Sequence, residues 1–425
     1  MTLKKQIIKN DNFDITYYPF DRFSSMDIFL NFEMECSKEN YFYLLLLTDY
    51  MFSTTKKYKD PNLYIRRTKE LYNIGVYPII NTIGDKILVT VRINFINPKL
   101  LGEENFFEEA VAFSKEVLFK PNFTNKLPDY KLFNRKLKEL KEGYKDDLTN
   151  PDYKAAYYFN KYIGKECHRI DHLVGSKNEL NNIFKGSYKK IYSMYQKLMN
   201  SFISMQILGD FSDKEINILK EEFKFNKVNK INDDYFVPYN FKKYNKKTVD
   251  KNAEHSVYFE LYAVKNYDIN KRYLYRTIMY FLNNQVGRIL HTKLRDELGL
   301  VYSASAGFSG EYGFLMVISN IDRKNKEKCH NGIEDALNML KDEKLVEDLL
   351  EKAVKRAEEV EFLIDEDYFE YLEYVRRKAL KLNLTHDEFT EKLKGITPKD
   401  IIDAVNDLER RSTYIYEGTK NKENV

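Results

Sequence analysis

The chain has 425 residues, too many for one ordinary hydrophobic core, so two or more domains are expected. Its 69 basic and 65 acidic residues are interspersed and leave a net charge of only +4, which argues against a dedicated nucleic-acid or anionic-membrane surface. The three cysteines, Cys36, Cys167 and Cys329, never form a C-x-x-C pair, and no stretch reaches the roughly 18 apolar residues of a membrane span; a cytoplasmic chain without disulfides is expected.

Residues 26–34 alternate apolar and polar positions as a half-buried strand should, with Met26, Ile28, Leu30, Phe32 and Met34 on one face. Helices are expected over 40–52 and 61–72. A hairpin over 76–83 and 86–95 then turns at Gly84-Asp85. Helices at 103–119 and 130–147 follow, and Pro151 ends the second or begins another. Ser187 is a candidate N-cap for a helix to 199, leading into a strand at 202–208 closed by Gly209 and a helix at 213–223. Residues 225–252 are polar, aperiodic and contain Pro238, and are expected to be an interdomain linker.

The second half repeats this outline. A strand at 256–264 precedes an amphipathic helix at 272–294, a turn at Gly299 and a hairpin hinged near Gly310, in which ELGLVYSAS echoes LYNIGVYPI of the first half. Helices at 331–340 and 346–364 match the two after the first hairpin. Thr397-Pro398-Lys399-Asp400 forms a capping box with Pro at N1, and a strand at 412–417 ends at Gly418 as the earlier one ends at Gly209. The expectation is α+β: two tandem homologous domains, each an antiparallel sheet with helices mainly on one face. Their expected limits are 1–224, a linker 225–252, a second domain 253–418 and a tail 419–425.

The duplication and the segment LRDELGLVYSASAGFSGEYGFLMVISN resemble the pitrilysin/insulinase family of zinc metallopeptidases and its processing-peptidase relatives. The resemblance covers nearly the whole chain and is nearest to a small bacterial branch that lacks the zinc motif. Its sharpest element is the Arg-x6-Tyr pair Arg295 and Tyr302, which in the family binds substrate backbone near the scissile bond and supports the developing oxyanion. A fixed fork of guanidinium donors plus a phenolic hydroxyl suits that role.

Active members carry H-x-x-E-H on the first helix of the first unit, with a further Glu downstream. Here the resemblance places Leu45-Leu46-Leu47-Thr48-Asp49 in that position, so both histidines and the general base are missing at Leu45, Thr48 and Asp49. Leu cannot bind zinc and Thr cannot act as a carboxylate base. The downstream Glu corresponds to Glu139 or Glu142. A second run, His168-Arg169-Ile170-Asp171-His172, would put two imidazoles on one face of a helix, but it precedes a Gly-Ser turn and is read as a chance pairing in a loop. His291 could line the same place as Arg295 but is read as a surface residue. His255, His330 and His386 have no partner pattern, and a Cys329/His330 dyad is disfavoured because sequence neighbours rarely face each other.

The resemblance implies a non-catalytic, substrate-binding subunit of a heterodimeric peptidase. This chain would hold no cofactor; a paralogous partner would hold zinc and the base, and this chain would lend Arg295 and Tyr302 in trans to an extended peptide substrate added to a sheet edge. The other expectation is a proteolytically inactive pseudo-peptidase acting as a peptide-binding or scaffold module linked to elongation factor P modification. Neither nucleic acid nor membrane is an expected partner.

Overall fold

The computed structural model describes residues 4–419 apart from 11, 165–166, 233, 238, 284 and 383, and without the side chains of 362 and 365. The chain divides into two compact units, residues 2–146 with 171–233 and residues 147–170 with 234–425.

The first unit begins with strands β1 (Gln6–Ile8) and β2 (Ile15–Pro19), which the alternation pattern did not reveal, and β3 (Ser25–Glu35). Helix α1 (Lys38–Met51) starts at Ser37, whose side chain accepts from Asn40 N, and α2 (Pro61–Glu70) starts at Asp60 with Pro at N1. The expected hairpin is β4 (Gly75–Ile83) and β5 (Lys86–Ile96), followed by α3 (Phe106–Phe119), the short pair β6 (Phe123–Thr124) and β7 (Leu127–Pro128), and α4 (Tyr130–Asp147). After α5 (Pro151–Ile163) come α6 (Lys177–Ile183), α7 (Ser187–Met199), β8 (Phe202–Gly209) and α8 (Asp213–Glu222). Gly186, not Ser187, occupies the cap of α7, in the left-handed conformation.

The second unit contains β9 (Tyr244–Asp250), β10 (Ser256–Val264), α9 (Arg272–Leu282), the single turn α10 (Ile289–His291), β11 (Val301–Ser309) and β12 (Phe314–Ile321). It ends with α11 (Lys326–Met339), α12 (Glu343–Glu366), α13 (Tyr368–Ala379), α14 (His386–Lys394), α15 (Pro398–Asn406) and β13 (Leu408–Gly418). The two sheets run β4-β5-β3-β8-β2-β1 and β11-β12-β10-β13-β9. In each, a hairpin lies at one edge, the first long strand of the unit is central, and one parallel pair (β2 with β8, β9 with β13) stands among antiparallel ones. The same connectivity twice is the α+β duplication.

The expected boundaries need correction. Residues 225–252 are no linker: Phe225 stacks on Phe202 at 3.6 Å and packs on Phe13 and Phe32 in the first core, while β9 is a strand of the second sheet. Burying aromatic rings outweighs the polar composition that suggested a loop. Pro238 lies outside the described residues, as does the tail beyond Thr419. Nor does the N-terminal unit run unbroken to 224. Phe159 of α5 stacks on Phe259 of β10 at 4.6 Å, so that helix covers one face of the second sheet while α9, α11, α12, α14 and α15 cover the other.

Asp250 at the end of β9 ties α5 to this sheet. It accepts from the Tyr416 hydroxyl, from Asn252 N and from Lys154 of α5 at 2.9 Å. The Tyr416 bond above all, against the opposing effect of burial, holds its carboxyl down to about 2. A depressed carboxylate stabilises the fold above its unfolded value of about 3.9 and loses that contribution as pH falls toward the folded value. Asp250→Asn is therefore expected to lower the thermal midpoint near neutral pH, and the gap to wild type is expected to close between about pH 4 and about pH 2. Parallel melting curves across that range check it.

β3 is buried on both faces, not half-buried. Its polar positions are bonded to each other and to neighbouring strands: Thr90 donates to Asn31 at 2.8 Å, Asn31 donates to Gln206 at 2.6 Å, and Arg92 donates to Asp27 at 2.7 Å. Among the described residues, no helix is long and apolar enough to cross a membrane.

Candidate functional site

The element carrying Arg295 is not the continuous helix that its periodicity predicts. Helix α9 stops at Leu282 because Asn283 turns its amide to β11, donating to Ala306 O at 2.8 Å and accepting from Ala306 N at 2.9 Å. Gly287 follows where a Cβ would meet Phe281 O at 2.4 Å, and Arg288 takes a left-handed φ of 52°. The chain resumes as α10 and then as a π-helix over Thr292–Glu297, with Ile289, Leu290 and Leu294 buried. Single π turns recur at functional sites, where the extra residue re-aims side chains. Gly299, at φ 60°, closes it: Gly299 N donates to Arg295 O and Leu300 N to Leu294 O. This Schellman-type end is one residue wider than usual because the last turn is π.

Arg295 is exposed, and its Nη1 lies 3.2 Å from Nε2 of His291. The other ring nitrogen of His291 faces Arg288 at 3.1 Å and Asp296 at 3.4 Å. His291 thus braces Arg295 and does not stand apart as a surface residue. Arg295 is bonded to His291, not to Tyr302.

Tyr302 sits in a β-bulge. Val301 pairs with Ile321 and Ser303 with Asn320, so Tyr302 is the extra residue, turned outward and 72% exposed. β11 is the edge strand of its sheet. Ala306 directs both backbone groups away from β12 to Asn283; by the alternation of an antiparallel ladder, Ala304 presents its N–H and C=O to the same edge. The segment therefore offers an exposed phenol, an exposed braced guanidinium and, at Ala304, backbone groups that an extended peptide could pair with.

The positions that the resemblance assigns to zinc ligands hold other chemistry. Leu45 is apolar, and the Thr48 hydroxyl is spent on its own helix, donating to Leu44 O at 2.8 Å. Asp49 binds Lys136 of α4 at 3.0 Å, and the same ammonium lies 3.2 Å from Glu139. Burial works against the charge of Lys136, but Asp49 and Glu139 outweigh it and raise its pKa. A lysine cation thus joins Asp49 to Glu139, two of the positions that the resemblance associates with metal binding. Glu142 pairs with Lys138 at 3.7 Å and is exposed. These side chains do not fit zinc. Because the pair is partly exposed, Lys136→Met is expected to cost only about 0.5–1 kcal/mol in chemical denaturation.

The His168 run lies in a 3-10 turn, His168–Ile170, and the turn after it, so the imidazoles do not share a helical face. The backbone N–H of His168 donates to the Tyr312 hydroxyl at 3.1 Å, and the His172 ring packs on Tyr41. Cys329 is buried, and burial pushes its thiol up to about 12. His330 turns away to a partner far off in sequence: its Nδ1 is 2.7 Å from the fully buried Glu260 on β10. Tyr258 and Tyr262 each donate to Glu260 at 2.5 Å, and Tyr262 also lies 2.9 Å from Glu334. Burial, then Glu260, drives both phenols far above their ordinary range. Glu260, His330 and Glu334 bring ligating atoms within 4.8 Å, a separation that a divalent cation could bridge. In the structure the phenols satisfy Glu260, and Arg410 reaches the imidazole at 2.9 Å. The i, i+4 spacing of His330 and Glu334 was visible in the sequence; Glu260, 70 positions away on a strand, was not.

Residues 185–357 match the family model described as the peptidase M16 inactive domain. The chain is 21% identical over 401 residues to the probable inactive metalloprotease YmfF of Bacillus subtilis (strain 168), covering 86% of this chain and 89% of that one. A conserved protein from Enterococcus faecalis V583 has the same fold, with a TM-score of 0.83 at 19% identity over 98% of this chain and 100% of that one. A peptidase M16 inactive domain from Pseudomonas fluorescens also superposes, with a TM-score of 0.72 at 13% identity over 99% of this chain and all of the other.

Proposed function

We propose that this chain, a homologue of the M16, pitrilysin-type metallopeptidases in which Leu45, Thr48 and Asp49 stand where the resemblance places the zinc motif, is the non-catalytic, substrate-binding subunit of a heterodimeric zinc peptidase. A paralogous partner with an intact H-x-x-E-H holds the zinc and the general base. This chain supplies Arg295 and Tyr302 to an extended peptide, which adds to the edge of β11.

One observation carries the reading. Tyr302 is turned out to 72% exposure by a bulge on an edge strand, seven residues after an exposed guanidinium set in a π turn. A phenol and a guanidinium exposed for structural reasons alone would not need two local departures from regular geometry. The strain of such departures is retained where a side chain must be aimed.

Co-expression with a paralogue bearing H-x-x-E-H tests it: a stable complex that cleaves peptides, and cleaves them far more slowly with Arg295→Ala, is the expected result. A complex that binds peptides and never cleaves them would favour instead a scaffold module, the reading in keeping with a relative named as an inactive metalloprotease.

A further inference from the structure

A cavity of about 320 Å3 opens in the second unit between the first turns of α9, the tip of the β11–β12 hairpin and the end of α13. Three guanidiniums line it. Arg272 and Arg276 stand one helical turn apart on the same face of α9, and Arg377 comes from the last turn of α13. Phe308, Met279 and Leu384 form its apolar wall, and Glu311 is its one lining carboxylate.

The charges are poorly compensated. Among the described residues, neither Arg272 nor Arg276 forms an ion pair, and the buried Nε of Arg272 donates to no acceptor. Arg276 lies over the Phe389 ring at 4.1 Å and donates to Leu384 O at 2.9 Å, so packing and a neutral carbonyl hold it in place, not a carboxylate. Burial pulls its guanidinium below the ordinary range; Tyr280 opposes this, and Arg377 and Arg272 add to it. Arg377 shares Glu373 with Arg376, and Glu311 accepts from the Ser309 hydroxyl at 3.1 Å. Like charges gathered around a cavity, with a buried donor left unused, cost free energy unless an anion answers them.

We propose that this cavity binds the phosphoryl group of a small phosphorylated molecule. Guanidinium forks match the oxygens of a phosphate, and three of them converge here. The apolar wall takes the rest of the molecule, and the volume lies at the lower end of small-ligand pockets. The site is separate from Arg295 and Tyr302: Phe308 lies six positions along β11 from Tyr302, about 20 Å of strand.

Calorimetric titration of the full chain with pyrophosphate, inorganic phosphate and citrate tests the assignment. Saturable pyrophosphate binding is expected, weakened roughly tenfold or more by Arg272→Met and by Arg276→Met. Glu311→Gln, which removes the lining carboxylate, is expected to tighten it a few-fold, a change of sign that loss of folding cannot mimic. Arg295→Ala should leave it unaltered. No saturable binding, or binding insensitive to both Arg272→Met and Glu311→Gln, overturns the proposal. Citrate binding as tight as pyrophosphate overturns the phosphoryl assignment.

Discussion

In the complex with a zinc-bearing paralogue, Arg295→Ala is expected to lower kcat/KM by about 10²–10³, the cost of one donor aimed at a developing oxyanion. The fall should lie in kcat more than in KM, because a group that meets charge only in the transition state contributes little to ground-state binding. Zinc content and complex formation should be unchanged, since Arg295 is exposed and lies on a different element from the degenerate metal positions. Tyr302→Phe removes one neutral hydroxyl and should cost less, roughly tenfold. His291→Ala deletes the brace at 3.2 Å and should lower the rate while leaving zinc in place. Steady-state kinetics on the purified complex separates these outcomes. Undiminished cleavage by the Arg295→Ala complex would refute the assignment of that residue.

The second large effect concerns the fold of the first unit. Asp27 on β3 is fully buried, and its Oδ1 accepts from Arg92 at 2.7 Å and from Asn94 at 3.1 Å. Arg92 is almost as deeply buried and lies 5.5 Å from the Tyr77 ring. Asp27→Ala leaves a guanidinium without its counter-charge in a low dielectric and is expected to cost about 3–5 kcal/mol. Replacing both partners with apolar groups of similar volume, Asp27→Leu with Arg92→Met, should cost much less, because the desolvation of both charges disappears with them. Urea denaturation of the two variants and wild type measures the difference. A loss below about 1 kcal/mol for Asp27→Ala would show that water reaches the pair.

Local periodicity was enough for much of the fold. The hairpin at β4 and β5, helix α4, strands β8 and β10 and the capping box at Thr397 stand where spacing and turn residues put them. The duplication was legible because the same order of elements recurs, and the two sheets repeat one connectivity. Helix α9 misled because its apolar stripe continues through Leu290 and Leu294, yet Asn283 diverts the backbone by bonding to a strand 23 residues later. β9 was missed because an edge strand rich in Lys, Asn and Thr carries little apolar alternation, and β1 and β2 because three and five residues are too short to show a period.

The sequence by itself determined that the zinc motif is absent, since an aliphatic side chain has no lone pair to give a metal in any fold. It also placed Arg295 and Tyr302 on either side of one turn, which residue order alone secures. Only the tertiary structure decided which charges answer each other: Lys136 with Asp49 and Glu139, His330 with Glu260, and Arg377 with Glu373, while Arg272 and Arg276 have no carboxylate partner among the described residues. It alone set α5 against β10 and turned Tyr302 outward in a bulge. The reason is physical. Coordination chemistry belongs to a residue type, whereas a hydrogen bond or ion pair depends on distance through space, and folding brings together positions that chain order keeps far apart.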